Sequence, residues 1–104
     1  MRVEIKDDEG NRTLSIDFDA KAVYIGSRKV WLSAADYRLI NVLGLCAGTM
    51  VSKKFVAMFL YHTLEPAAFT NVRSAACRLR KKLSDASGGR NYIVDVERAG
   101  YMLA

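Results

Sequence analysis

The sequence has few of the residues from which catalytic and metal sites are built. One histidine, His62, and two cysteines, Cys46 and Cys77, stand in a chain of 104 residues. The cysteines lie 31 positions apart, which fits neither a zinc-ligand spacing nor a small disulfide framework, so reduced, packed thiols are expected. No Gly-rich phosphate loop occurs and the carboxylates are scattered, so acid, base and nucleophile do not converge, and neither an enzyme nor a cofactor is expected. Proline is nearly absent, with Pro66 alone, and no linker, repeat or low-complexity segment is visible. The longest uncharged run, Leu39 to Ser52, has 14 residues and two glycines, short of the ~20 apolar residues that cross a bilayer. The charged start MRVEIKDDEG has no apolar stretch behind it, so neither a secretory signal nor a membrane partner is expected, and a cytoplasmic location follows.

What is present is a globular composition, 51% hydrophobic and 26% charged, of a length that fits one domain over residues 1–104. The net charge of +5 is unevenly spread. Residues 70–90 carry Arg73, Arg78, Arg80, Lys81, Lys82 and Arg90 against Asp85 alone, while residues 1–20 carry three basic and six acidic side chains. Taken alone, such a run is either a solvated helix face or a contact for an anionic partner.

Residues 1–32 read as a β meander, VEIKD, TLSIDF, AVYIG and VWLS, broken at Glu9-Gly10-Asn11 and Gly26-Ser27-Arg28. Alternation puts Leu14, Ile16, Phe18, Val23 and Ile25 on a buried face, with Ser15, Asp17 and Tyr24 pointing away. Ser33, with Asp36 three positions on, caps a helix over about 34–47, whose stripe is Leu39, Val42, Leu43 and Cys46. Val51 is a short strand or bend. Ser52 caps a second helix over about 53–61, where Phe55, Val56, Met58, Phe59 and Leu60 run nearly all round and predict burial. Pro66 opens a third helix over about 67–85. One of its stripes is Val72, Ala76, Leu79 and Leu83; the other is Asn71, Ser74, Ala75, Arg78 and Lys82, small, polar and basic. NYIVDVER and YMLA then form a hairpin around Arg98-Ala99-Gly100.

This order describes an α+β winged helix-turn-helix: a four-stranded antiparallel sheet over 1–32, a three-helix core over 33–86 and a wing over 90–104. Small residues at Ser74 and Ala75 let the third helix approach base edges in a major groove, and Arg78 one turn on reaches guanine acceptors. Arg73, Arg80, Lys81 and Lys82 flank that face as phosphate contacts. For Arg78, base reading is the expectation, with phosphate contact and plain surface charge as alternatives.

NVRSAACRLRKKL resembles the recognition helix of OmpR/PhoB-type response-regulator output domains, and YIVDVERAGYML resembles their wing. LSAADYRLINVL and VSKKFVAMFLY resemble the family's first and second helices, so the likeness spans nearly the whole chain. Within the family, KKLSDASGGRNYI and MFLYHTLEP are most similar to CtrA-type cell-cycle regulators. The resemblance implies a transcription factor domain that binds double-stranded promoter DNA, often as a homodimer on tandem half-sites, with RNA polymerase or another regulator as further partners. Carried over by position, base reading falls on Ser74, Ala75 and Arg78, and phosphate contact on Thr70, Asn71, Arg73 and Arg80. Glu97 stands where the family commonly has a minor-groove residue, which either moves the expected wing contact to Arg98 or removes it. The short loop from Tyr61 to Pro66 corresponds to one that can touch polymerase. The 104 residues hold no phosphoacceptor receiver, so an excised output domain and a free-standing one are both expected readings, with Met1 leading straight into strand sequence on the side of the second.

Several residues have a plain reading beside a sharper one. Trp31 is expected in the core where sheet meets helix, with a partner surface as the alternative. Tyr101 is expected at the wing root rather than stacked on a base, His62 as a loop or capping residue, and Cys77 as a packed thiol rather than a redox switch. The competing functional class is a winged helix used for protein contact, one that antagonises or assists another regulator or polymerase; Glu97 is the feature that favours it.

Overall fold

The computed structural model describes residues 1–6 and 13–104; the expected turn at Glu9-Gly10-Asn11 lies outside the described residues. Strands β1 (Arg2–Ile5), β2 (Leu14–Asp17), β3 (Ala22–Ile25) and β4 (Arg28–Val30) form an antiparallel sheet in sequential order. Its register sets Leu14 opposite Ile25 and Ile16 opposite Val23, so the four share one buried face. The chain continues through α1 (Ala34–Leu45), β5 (Val51–Ser52), α2 (Lys53–Tyr61), α3 (Pro66–Ser87), β6 (Ile93–Val96) and β7 (Gly100–Leu103). The last strands make a second sheet in the order β5-β7-β6. One core joins the inner face of the first sheet to Leu39 and Leu43 of α1, Leu79 and Leu83 of α3, and Ile93 and Leu103 of the hairpin. Close approach at Gly44 makes this possible, since a Cβ there would stand 2.7 Å from Cδ1 of Ile16.

Ser33 caps α1 as its sequence predicts: its Oγ accepts from the Asp36 N–H at 3.1 Å, and its own N–H donates to Asp36 Oδ2 at 3.2 Å. Ser52 caps α2 through the Phe55 N–H, and Pro66 opens α3 directly after its N-cap, Glu65. His62 ends α2 in a left-handed conformation, φ 58°, in the capping role expected of it. Among the described residues no helix is long and apolar enough to cross a membrane.

Four expectations change. Strand β4 ends at Val30, which takes the inward position opposite Val23; the next side chain must point outward, so Trp31 is 79% exposed rather than in the core, with the Lys29 ammonium 4.5 Å from its ring. Ser15 is buried rather than outward, because it is a small residue between the larger cross-strand partners Glu4 and Tyr24. Helix α2 is docked on one side only. Val56, Ala57 and Leu60 face inward while Phe55, Met58 and Phe59 are exposed. Both thiols are exposed rather than packed: Cys46 becomes the C-cap of α1 because the helix stops at Leu45, and Cys77 projects from α3.

Asp36 is the structural surprise. Its side chain is buried, and besides closing the α1 cap it accepts a hydrogen bond from the Lys82 ammonium of α3. Burial alone would push its carboxyl pKa up, but the hydrogen bonds from Lys82 and Ser33 outweigh that and hold it below the ordinary 3.8. Lys82, expected as a phosphate contact, is therefore engaged by the fold through its pairing with Asp36.

A carboxyl with a depressed folded-state pKa stabilises the fold above its ordinary value and loses that contribution as pH falls through the folded-state value. Lys82→Ala leaves a buried carboxylate without its cation and is expected to cost about 1–3 kcal/mol in chemical denaturation at neutral pH. The difference from the parent chain should be largest at neutral pH and shrink on acidification as Asp36 takes up a proton, first in the variant, where burial acts on the carboxyl without the Lys82 cation to oppose it.

Candidate nucleic-acid interface

Helix α3 is long enough for its two sides to have separate duties. Ala68, Val72, Ala75, Ala76, Leu79, Leu83 and Ser87 face the core. Thr70, Asn71, Arg73, Ser74, Cys77, Arg78 and Lys81 are exposed. Side chains four apart stack along a helix surface, so the exposed side resolves into two parallel ridges, Thr70-Ser74-Arg78 and Arg73-Cys77-Lys81. The first is small then long, which suits approach of a backbone to base edges; the second places a cation at each end of a thiol.

Ala75, expected beside Ser74, is instead 1% exposed and packs in the core. Its position is four residues from Leu79, so it lies on the inward edge of the helix. Arg80 is half-buried, and its Nε donates to the Ile93 carbonyl at 3.1 Å, which occupies it in holding the hairpin to α3. Cys77 was not singled out as facing outward, although its spacing from Arg73 and Lys81 carries that signal.

The hairpin turns at Val96–Ala99, closed by the Ala99 N–H on the Val96 carbonyl at 2.8 Å. Its two central residues, Glu97 (φ 47°) and Arg98 (φ 63°), are both left-handed, the conformation for which hairpins ordinarily use Asn-Gly. The Lys53 N–H, at the first residue of α2, donates to the Ala99 carbonyl at 3.0 Å. Ser52 pairs with Gly100, where a Cβ would stand 2.2 Å from the Val51 carbonyl oxygen; glycine is the residue that lets β5 and β7 meet.

These contacts enclose a cleft of about 540 Å³ between the first half of α3 and the wing. Lys53, Arg73 and Arg98 bring three cations to it, with Thr70 and Tyr101 beside them and Asp95 the one carboxylate. The Lys53 ammonium stands 3.9 Å from Asp95 Oδ1 and 5.5 Å from the Tyr101 ring. Tyr101 is buried at the wing root as expected, and burial, reinforced by the Asp95 charge, pushes its phenol pKa up, so it stays neutral. Lys53 is a member of the site that sequence reasoning missed. Among the described residues no group of acidic, histidine and cysteine side chains could hold a metal.

Residues 27–103 match the family described as transcriptional regulatory protein, C terminal. The chain is 32% identical over 90 residues to the cell cycle response regulator CtrA of Brucella ovis, covering 86% of this chain and 39% of that protein. It therefore spans about two fifths of the length of such relatives. The Klebsiella pneumoniae RstA DNA-binding domain, solved in complex with the RstA box, superposes with a TM-score of 0.76 at 31% identity, covering 88% of this chain and 90% of that one. The Thermotoga maritima response regulator DrrB, an OmpR/PhoB homologue, shares the fold at a TM-score of 0.75 and 22% identity, covering 94% of this chain and 43% of that one. The architecture is a winged helix-turn-helix with an N-terminal four-stranded sheet.

The wing tip generates a stability prediction. A non-glycine residue in the left-handed region costs about 1–2 kcal/mol, offset on replacement by the ~0.5–1 kcal/mol of chain entropy that glycine adds to the unfolded state. Glu97→Gly should therefore stabilise the chain by about 0.5–1 kcal/mol in denaturant titration. A destabilised variant would show that the Glu97 side chain holds the turn.

Proposed function

Since the chain belongs to the family of transcriptional regulatory protein C-terminal domains, we propose that it binds double-stranded DNA sequence-specifically as a transcriptional regulator, with α3 in the major groove and the wing near the adjacent minor groove. Its family and fold are those of regulator domains rather than enzymes. The observation that carries the reading is the pair of exposed α3 ridges opening onto a three-cation cleft. The RstA domain, its structural relative at 31% identity, was solved on its DNA box.

In this reading Ser74 and Arg78 meet base edges, Ser74 by admitting the helix and Arg78 by bidentate donation to guanine. Thr70, Asn71, Arg73 and Lys81 hold phosphates beside the helix, and Lys53 and Arg98 hold the backbone where it passes between helix and wing. Asp95 and Glu97 set a limit on that grip, since each places a carboxylate near the phosphates.

Binding competitions at several salt concentrations test the assignment. Arg78→Ala should cost about 1–3 kcal/mol on a cognate site and flatten the preference at one base pair. Lys81→Ala should weaken cognate and random DNA alike and reduce the log–log salt slope by about 0.9. Arg98→Ala should weaken binding most on sites with A·T-rich flanks, where a narrow minor groove attracts a guanidinium. Affinity independent of salt would reject DNA as the partner and favour the protein-contact reading.

A further inference from the structure

The outer side of α2 is apolar and uncovered. Phe55 and Phe59 stack along one helical turn with ring centroids 6.4 Å apart and planes within 12°. Cys46, Met50 and Phe55 line a shallow hollow of about 320 Å³ at the foot of the helix. The elements that build this face carry exposed charge of one sign. From the start of α1 to the end of α2 the only acidic residue is Asp36, which is buried against Lys82, whereas Arg38 and Lys54 are exposed. The Arg38 guanidinium donates to the Phe59 carbonyl at 3.1 Å, which sets a cation at the C-terminal end of the aromatic ridge. Lys54, one turn before Met58, sets another towards its N-terminal end.

We propose that this face binds an amphipathic helix of a partner protein, one whose apolar stripe is flanked by glutamate or aspartate. Two observations select that occupant. The first is size. Leu45, Met50, Phe55, Met58 and Phe59 are 56%, 40%, 55%, 46% and 37% exposed, the equivalent of a little over two fully exposed large side chains, or about 450 Å² at ~200 Å² each. That falls short of the ~800 Å² that each partner ordinarily gives to an interface between folded domains, and it suits the few anchors that a single helix lays into a groove. Phe55, Met58 and Phe59 follow the i, i+3, i+4 spacing along which a partner's anchors run. The hollow beside Met50 receives an anchor at the end of the stripe, and methionine in both hollow and ridge lets the surface adapt to it.

The second is charge. Arg38 and Lys54 attract carboxylates at the edges of an apolar stripe and oppose a basic helix, so they set the orientation and choice of partner more than its affinity. An anionic lipid surface fits less well, since electrostatic recruitment to one takes clusters of about 4–8 cations and the exposed cations of these elements outside the cleft are two. The face shares no residue with the surface assigned to DNA, so the proposal stands apart from that reading.

A display library of helical peptides tests this, each with a fixed leucine stripe at i, i+3, i+4 and i+7 and with glutamate, glutamine or lysine at the flanking positions. Selection on the whole chain should enrich glutamate at the flanks. In titrations of dye-labelled selected peptides, Phe55→Ser and Met58→Ser should each weaken binding by about tenfold. Both should keep the parent's melting temperature and affinity for duplex DNA, because both side chains are exposed. Lys54→Glu should weaken the glutamate peptides and strengthen their lysine counterparts. Absence of enrichment, enrichment without glutamate, or peptides that bind Phe55→Ser as tightly as the parent would overturn the proposal. So would cosedimentation of the parent chain with vesicles of roughly one-third phosphatidylserine that Phe55→Ser abolishes, which would assign the face to a lipid surface.

Discussion

One buried carboxylate sets the relation between the helices. Asp36 closes the cap that starts α1 and, through the same oxygen, receives the Lys82 ammonium from α3. A carboxylate removed from water must find such partners or lose its charge, so the start of α1 and the second half of α3 are fixed to each other. That tie, with the Val72-Ala76-Leu79-Leu83 stripe, determines the rotation of α3 about its axis. Rotation in turn decides which side chains are available outside. Ala75 goes in and Cys77 comes out as the direct result.

A second constraint links the wing to the rest. The hairpin does not stand alone: β7 pairs with the two residues of β5, Arg80 holds the Ile93 carbonyl, and the first N–H of α2 holds the Ala99 carbonyl. Three separate elements thus converge on the hairpin. Lys53 reaches the cleft because Ser52 is both the last residue of β5 and the N-cap of α2. Strand and helix meet without a linking residue, which leaves the lysine little freedom to be elsewhere.

Local chemistry was readable in advance and long-range pairing was not. The Ser33 and Ser52 caps, the start of α3 at Pro66, the inward stripe of α3 and the burial of Tyr101 all follow from signals within a few residues of each other. The alternation of Leu14, Ile16, Val23 and Ile25 gave the inner face of the sheet for the same reason. Trp31 shows the limit. Ending the strand one residue early reverses the side to which the next side chain points, and nothing near Trp31 marks Val30 as the last inward position. The pairing of Lys82 with Asp36 is invisible to local reading because the two lie 46 positions apart. For α2, a sequence apolar all round cannot say which side is covered, since that depends on whether a second layer exists. Arg73, Ser74, Arg78 and Lys81 were found on the solvent side because they are opposed to a clear core stripe on their own helix.

The wing tip carries strain that the hairpin itself does not need. A two-residue turn of this kind forms without penalty from Asn-Gly, yet Glu97 and Arg98 both occupy the left-handed region. Such residues persist where the surroundings over-determine the backbone, and here they do: the Val96–Ala99 hydrogen bond closes the turn from within, and Lys53 fastens it from outside. The strained conformation brings Arg98 to the same cleft as Lys53 and Arg73. Three like charges gathered into one opening repel one another, and Asp95 offsets only part of that. The stabilising energy of the core therefore offsets a repulsion that an anion in the cleft would relieve.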